Sequence, residues 1–170
     1  GPGTAATEQW NGSSWTEVND LNTARWALTT GGTTTAGIAA AGEVSPKGQT
    51  ETWNGSSWTE TTDLNTGRGE IGGSGGSSAQ TALLVFGGGS SQTKTENFNG
   101  STWTELSDMA TYRGQLPKTN IANTGALAIS GGVPGSPYNA ATEHFDAPSI
   151  FSKQVEGQLF FNSTANAFKE

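Results

Sequence analysis

The sequence predicts an all-β protein built from a repeated unit of about four short antiparallel strands. The stretch WNGSSWTE occurs at 10–17 and again at 53–60, and the close copy FNGSTWTE occurs at 98–105. Short apolar runs that end at glycine lie between these copies, and no apolar 3.6-residue period is long enough for a helix. The repeat, the apolar runs and the missing helical period together predict the class.

The composition limits the functions that the chain can have. Its 170 residues fit one domain, and 25 glycines with regularly placed aromatic residues favour short strands and turns over disorder. The net charge is −7 without a basic cluster, which argues against binding to nucleic acid or to an anionic membrane. No apolar run approaches the roughly 18 residues of a spanning helix, so we expect no membrane insertion. No cysteine is present for a disulfide or a thiolate metal site.

Each copy of the repeated stretch reads as a β-hairpin with one aromatic residue on each arm. Asn-Gly pairs at 11–12, 54–55 and 99–100 are strong turn signals between two strand-like segments. The first aromatic residue recurs at steps of 43, 45 and 47 residues, and the second is lost in the fourth unit. The first positions are Trp10, Trp53, Phe98 and Phe145, and the second are Trp15, Trp58 and Trp103.

The remaining part of each unit contains a buried strand. Apolar runs at 37–41, 82–86 and 126–130 are bounded by glycine, which predicts short strands inside a core. The glycine-rich run 72–76 is predicted to be a loop and no phosphate cradle, because neither Lys-Ser/Thr nor a helix follows it. About 45 residues with four strands is the pattern of a β-propeller blade.

Every arginine of the chain occupies one phase of the repeat, at Arg25, Arg68 and Arg113. A residue type confined to one phase serves each unit in the same way, which points to architecture and not to a single active site. A guanidinium group suits bidentate pairing with a carboxylate. The recurring Glu8, Glu51, Glu96 and Glu143 are the candidate partners, and the pattern leaves open which Glu meets which Arg.

These residues resemble the kelch repeat. The order Leu83–Gly88, Glu96–Asn99, Trp103, Met109 and Arg113 is similar to a kelch unit, with Trp or Phe where the family has Tyr. The resemblance covers residues 4–146. It implies a kelch-like array over 1–146, with units starting near 4, 47, 92 and 139, that forms about three blades and a partial one. It also implies that the aromatic residues pack between blades, and that the ring is incomplete or is completed by other chains.

The segment 147–170 differs from the repeats. Its stretch EGQLFFNSTANAFK, at 156–169, is predicted to form a β-hairpin and resembles short segments of phage tail-fibre and other virion proteins. The Thr-, Asn-, Gly- and Ser-rich repeats are also similar to degenerate kelch-like arrays of phage proteins. Both resemblances imply a virion or extracellular location.

Catalytic groups are scarce, and we predict no enzyme, no cofactor and no metal. His144 is the only histidine, so a triad or a multi-histidine metal site cannot form within one chain. The recurring Asp20, Asp63 and Asp108 are isolated and fit Asx turns better than calcium sites. Glu17, Glu60 and Glu105 recur in the same way and fall in different blades.

The sequence therefore predicts a non-enzymatic structural or attachment module, of a phage tail fibre or a similar adhesin, that presents loops on a propeller scaffold. The alternatives are a carbohydrate-binding propeller lectin and a protein-interaction adaptor. The expected partners are further copies or the rest of a longer chain, and a host-surface glycan or protein. Binding should use positions that vary between units. The candidates are Trp26, Lys47, Lys94, Tyr138 and Asn139.

Overall fold

The structure is a computed structural model, and it describes residues 3–89, 92–119, 122–132, 140–146, 160–162 and 167–169. These residues form fourteen strands and one short 3-10 helix, which spans Gly76–Ser78. The predicted all-β class is confirmed. The first seven strands are β1 Thr7–Trp10, β2 Trp15–Val18, β3 Thr29–Gly32, β4 Gly37–Ala40, β5 Thr50–Trp53, β6 Trp58–Glu60 and β7 Gly72–Ser74. The others are β8 Leu83–Phe86, β9 Thr95–Phe98, β10 Trp103–Glu105, β11 Gly125–Ile129, β12 Thr142–Asp146, β13 Phe160–Asn162 and β14 Ala167–Lys169.

The strands form two complete four-stranded antiparallel sheets and three two-stranded ones. The complete sheets have the sequential orders β3-β4-β5-β6 and β7-β8-β9-β10, and the pairs are β1-β2, β11-β12 and β13-β14. None of the sheets closes into a barrel, which is consistent with partial propeller blades. The sequence predicted about three blades and a partial one. Its repeat unit starts at the third strand of a sheet, so the predicted units straddle the sheets that form.

The first strand of each complete sheet was not predicted from the sequence. The run 72–76 was predicted to be a loop, but Gly72–Ser74 is strand β7, which pairs with β8 in the register Gly73↔Val85. A Cβ atom at position 72 would lie 2.4 Å from the Phe86 ring, so glycine lets the large neighbour fit. Polar and glycine-rich strands at this position carry no alternation of apolar residues, which explains the wrong prediction.

The three predicted hairpins form with four-residue loops. The aromatic residues at the two ends of each loop are direct cross-strand partners, for example Trp53 and Trp58. Within the second loop, Asn54 Oδ1 accepts the backbone N–H groups of Ser56 and Ser57, both at 2.9 Å. Gly55 follows with a φ of 97°, a value that favours glycine. The side chain of the Asn thus closes the turn.

The apolar core lies between the sheets. One cluster joins Ile38 and Ala40 of β4 to Leu83 and Val85 of β8, and reaches Phe98. A second cluster joins the other face of β8 to strand β11. Strand β8 is therefore buried on both faces, which explains its continuous apolar sequence LLVF.

Candidate functional site

The three arginines form ion pairs that tie the linkers between sheets to the following sheet. Arg25 Nη1 lies 2.5 Å from Glu51 Oε1, and Arg68 Nη1 lies 2.5 Å from Glu96 Oε1. Arg113 Nη2 makes the same contact with Glu143, also at 2.5 Å. Each Arg pairs with the Glu of the next repeat unit along the chain, which answers the question that the sequence left open. All three guanidinium groups are buried.

The paired carboxylates accept further hydrogen bonds from the linkers. Asn22 donates its backbone N–H and its Nδ2 to Glu51 Oε2, both at 2.8 Å. Asn65 makes the equivalent bonds to Glu96 Oε2 at 2.8 and 3.0 Å. Both carboxylate oxygens are occupied in each case, so these groups hold the scaffold together and are not placed to exchange protons with a substrate.

The repeated aromatic residues pack in pairs within their own hairpins. Their ring centroids are 5.0–5.5 Å apart in the pairs Trp10–Trp15, Trp53–Trp58 and Phe98–Trp103. The second Trp of a pair also reaches the preceding unit, as Trp58 Nε1 donates to Thr7 Oγ1 at 3.2 Å and Trp103 Nε1 to the Thr62 carbonyl at 3.0 Å. Each ring pair therefore lies within one hairpin, and Trp58 and Trp103 also hydrogen-bond to the preceding unit. Phe145 lies against the second core cluster.

The first aromatic pair is much more open than the other two. Trp10 is 45% exposed and Trp15 is 64% exposed, whereas Trp53 is 5% exposed. In the described ranges β1 pairs only with β2, so the edge that β5 uses to pair with β4 is open in β1. A cleft of about 540 Å³, lined by the four tryptophans of the first two pairs, separates this hairpin from the first complete sheet.

The lysines predicted to contact a ligand form local ion pairs. Lys47 Nζ lies 2.5 Å from Glu43 Oε2. Lys94 pairs with Glu105, and this hydrogen bond raises the pKa of the Lys94 ammonium group above its usual value. Tyr138 and Asn139 lie outside the described residues.

Trp26, in contrast, projects from the linker before the first complete sheet and is 42% exposed. The residue after it, Ala27, begins a ladder that crosses three linkers: Glu70 N–H donates to the Ala27 carbonyl at 2.9 Å, and Gln115 N–H donates to the Glu70 carbonyl at 2.8 Å. All three ladder residues have φ values between 53° and 57°. A left-handed backbone is uncommon for residues with a side chain.

Glu70 and Gln115 were not predicted from the sequence as functional residues. An alignment of the units could have found them, since the position two residues after each Arg changes from Ala to Glu to Gln, whereas the next position is always apolar. Those apolar residues are Leu28, Ile71 and Leu116, which lie beside Trp26 in one pocket.

Two of the remaining candidates for chemistry, His144 and Asp108, line one small cavity beside strand β12. The His144 side chain is 59% exposed, and its Nε2 lies 3.3 Å from Asp146 Oδ1. Asp20 Oδ1 accepts the backbone N–H of Thr7 at 3.3 Å, and Asp108 Oδ2 accepts the Thr93 hydroxyl at 3.1 Å. Within the described part of the chain, no group of three or more His, Asp or Glu residues is placed to hold a metal ion. The same ranges contain no helix with the length and hydropathy needed to cross a bilayer.

Comparisons with known proteins show a likeness of fold alone. No protein-family model matches the sequence, and no curated protein matches it. Among solved structures, YjhT is similar with a TM-score of 0.61 at 10% sequence identity. The match covers 75% of this chain and 45% of YjhT, so the chain spans less than half the length of that structure.

Proposed function

We propose that the chain is a non-enzymatic structural and attachment module, built of kelch-like blades and belonging to a phage virion such as a tail fibre. One observation carries the proposal. The recurring arginines form ion pairs with recurring glutamates, and the pairs Arg25–Glu51 and Arg68–Glu96 are buried, whereas Trp26 and Gln115, at linker positions that differ between units, are exposed. A fixed scaffold with variable exposed residues is the arrangement expected of a binding surface.

The composition and the tail support the virion assignment. The Thr-, Asn- and Gly-rich repeats and the stretch EGQLFFNSTANAFK resemble segments of phage fibre proteins, and the strands β13 and β14 within that stretch pair as a hairpin. The assignment places the protein on a particle or outside a cell.

Completion of the blade array forms part of this proposal. Strands β1 and β2, which carry the exposed Trp10 and Trp15, correspond to the last two strands of a blade. The first two strands of that blade would cover these tryptophans. In the complete sheets, the apolar strands β4 and β8 pair with the strand edge that is open in β1. We propose that the rest of a longer chain or another copy supplies it here.

Mass spectrometry of purified particles, together with the genes that flank the coding sequence, tests the attachment role. The proposal predicts that the protein is a component of the particle and that its gene lies among virion genes. A partner domain encoded in the same full-length gene would favour the protein-interaction adaptor instead.

A carbohydrate-binding role is the second candidate. The exposed Trp26 favours it, because an open aromatic ring beside polar side chains is suited to a sugar ring that has one apolar face and several hydroxyls.

A further inference from the structure

Three linkers, joined by the backbone hydrogen bonds of the ladder, meet to form a pocket. The linker pocket has a volume of about 380 Å³ and is lined by residues of all three linkers. Ile71 and Leu116 are buried at its floor, and Trp26 stands exposed at its side. Glu70, Gln115 and Lys118 supply a carboxylate, an amide and an ammonium group. An apolar pocket of a few hundred Å³ with a few converging polar groups is the common form of a small-molecule site.

The backbone of the linker pocket is repeated, but its side chains are not. Ala27, Glu70 and Gln115 have φ values of 53°, 57° and 54°, a conformation in which glycine would be less strained. At another phase with positive φ, the chain does use glycine in one of three units, at Gly87. The side chains at this phase differ in each unit, so the lining of the linker pocket is not a repeat of one scaffold contact.

The charges of the linker pocket favour a neutral ligand. Its lining holds one carboxylate, on the half-buried Glu70, and one ammonium group, on Lys118, whose Nζ lies 3.0 Å from Thr30 Oγ1. The Gln115 amide reaches Glu70 Oε1 only at 3.4 Å, a long hydrogen bond that a ligand can replace. The whole chain carries a net charge of −7, which repels anionic ligands.

We infer that the linker pocket binds one neutral pyranose residue of a glycan. The apolar face of the sugar packs on the Trp26 ring and the Leu116 side chain. Glu70 accepts hydrogen bonds from two hydroxyl groups of the sugar, and Gln115 and Lys118 donate hydrogen bonds to other hydroxyl groups. Carboxylates and amides are suited to this because they offer several acceptor and donor sites in a fixed plane. The inference deepens the binding role proposed above and rests on it, since it names the ligand class and the residues.

Calorimetry of the 170-residue chain with a panel of neutral methyl pyranosides tests the inference, with glucuronate and tetramethylammonium as charged probes. At least one neutral sugar should bind. Glu70→Gln should weaken that sugar about tenfold, as expected when a hydrogen bond to a charged group is lost. Trp26→Ala should weaken it by a similar factor. The matched control Trp15→Ala removes a more exposed Trp outside the pocket and should leave the affinity unchanged.

The inference is overturned if no neutral sugar binds, if only glucuronate or tetramethylammonium binds, or if Trp15→Ala abolishes sugar binding while Glu70→Gln does not. The melting temperature of each variant identifies one that fails to fold, and Gln115→Ala, at an exposed residue, then replaces it with the same expected loss. Detection of the protein in particles is independent of these titrations. A failed titration with a positive particle assay therefore rejects the sugar site and keeps the attachment role.

Discussion

Arg68 Nη1 lies 2.5 Å from Glu96 Oε1, and the two side chains are 2% and 0% exposed. The arginine comes from a linker and the glutamate from the third strand of the next sheet, so the pair fixes the linker to that sheet. Arg68 also donates Nε to the Gly87 carbonyl at 2.8 Å and Nη2 to the Lys94 carbonyl at 3.2 Å. Removing one partner of a buried ion pair that makes these further hydrogen bonds strongly lowers the free energy of unfolding, because the other charge stays buried without a partner.

Replacing Gly87 should test how closely the linkers approach the sheets. Gly87 has a φ of 66°, and a Cβ atom there would lie 2.5 Å from the Arg113 carbonyl. We expect Gly87→Ala to lower the free energy of unfolding by about 2–4 kcal/mol, from backbone strain and overpacking together. Ala41→Gly, at the same phase of the first unit, should change it by less than about 1 kcal/mol, because relief of its positive φ offsets the loss of one buried methyl group. Equal effects of the two changes in urea unfolding would contradict this.

Two lysines should affect stability in alkaline solution with opposite sign. Lys118 is exposed as a residue, but its ammonium group is partly removed from water, which lowers its pKa below the usual 10.5. The folded state then holds fewer protons than the unfolded state as pH rises toward 10.5, so stability gains from this group in that range. Lys94 has a raised pKa, so its contribution is present below 10.5 and is lost as pH rises through its folded value.

The melting temperature of the wild type minus that of Lys118→Gln should therefore rise between pH 8 and 11. The melting temperature of the wild type minus that of Lys94→Gln should fall at the upper end of this range. The same direction of change in both comparisons would show that these lysines do not titrate as their surroundings imply.

The open hairpin should make the isolated chain associate. Trp10 and Trp15 expose an aromatic face beside the free edge of β1, and exposed edges with apolar side chains pair with other chains. Light scattering should give a mass above that of a monomer that grows with concentration. Trp15→Lys should reduce association, since a charge opposes it, while Tyr112→Lys, at another exposed aromatic residue, should not. A compact monomer at all concentrations would contradict the proposal that another chain or segment completes this blade.

Much of the scaffold could be predicted from sequence because each unit repeats the same physical requirement. Aromatic residues beside Asn-Gly turns predicted the hairpins, and the confinement of arginine to one phase predicted a structural role for it. The first strands, such as Gly72–Ser74, could not be predicted, because their glycines are selected by contact with Phe86 and not by a local pattern. The partners of the arginines depend on which strands become neighbours.

The linker pocket could not be predicted for a different reason. Trp26 was a candidate, but Glu70 and Lys118 lie 44 and 92 positions further along the chain. The backbone hydrogen bonds between the linkers bring them together. Ligand-binding residues were expected in the connections after the glycine doublets, where Lys47 and Lys94 instead form local ion pairs.

The central claim is that the recurring residues are structural, and the melting temperature of Arg68→Ala tests it most directly. The change leaves Glu96 buried without its partner, so we expect a loss of about 2–4 kcal/mol and a melting temperature lower by about 5–15 °C. Lys47→Ala, which breaks a more exposed pair, should cost less than about 1 kcal/mol. An Arg68→Ala protein that keeps the wild-type melting temperature but loses ligand or particle binding would contradict the claim.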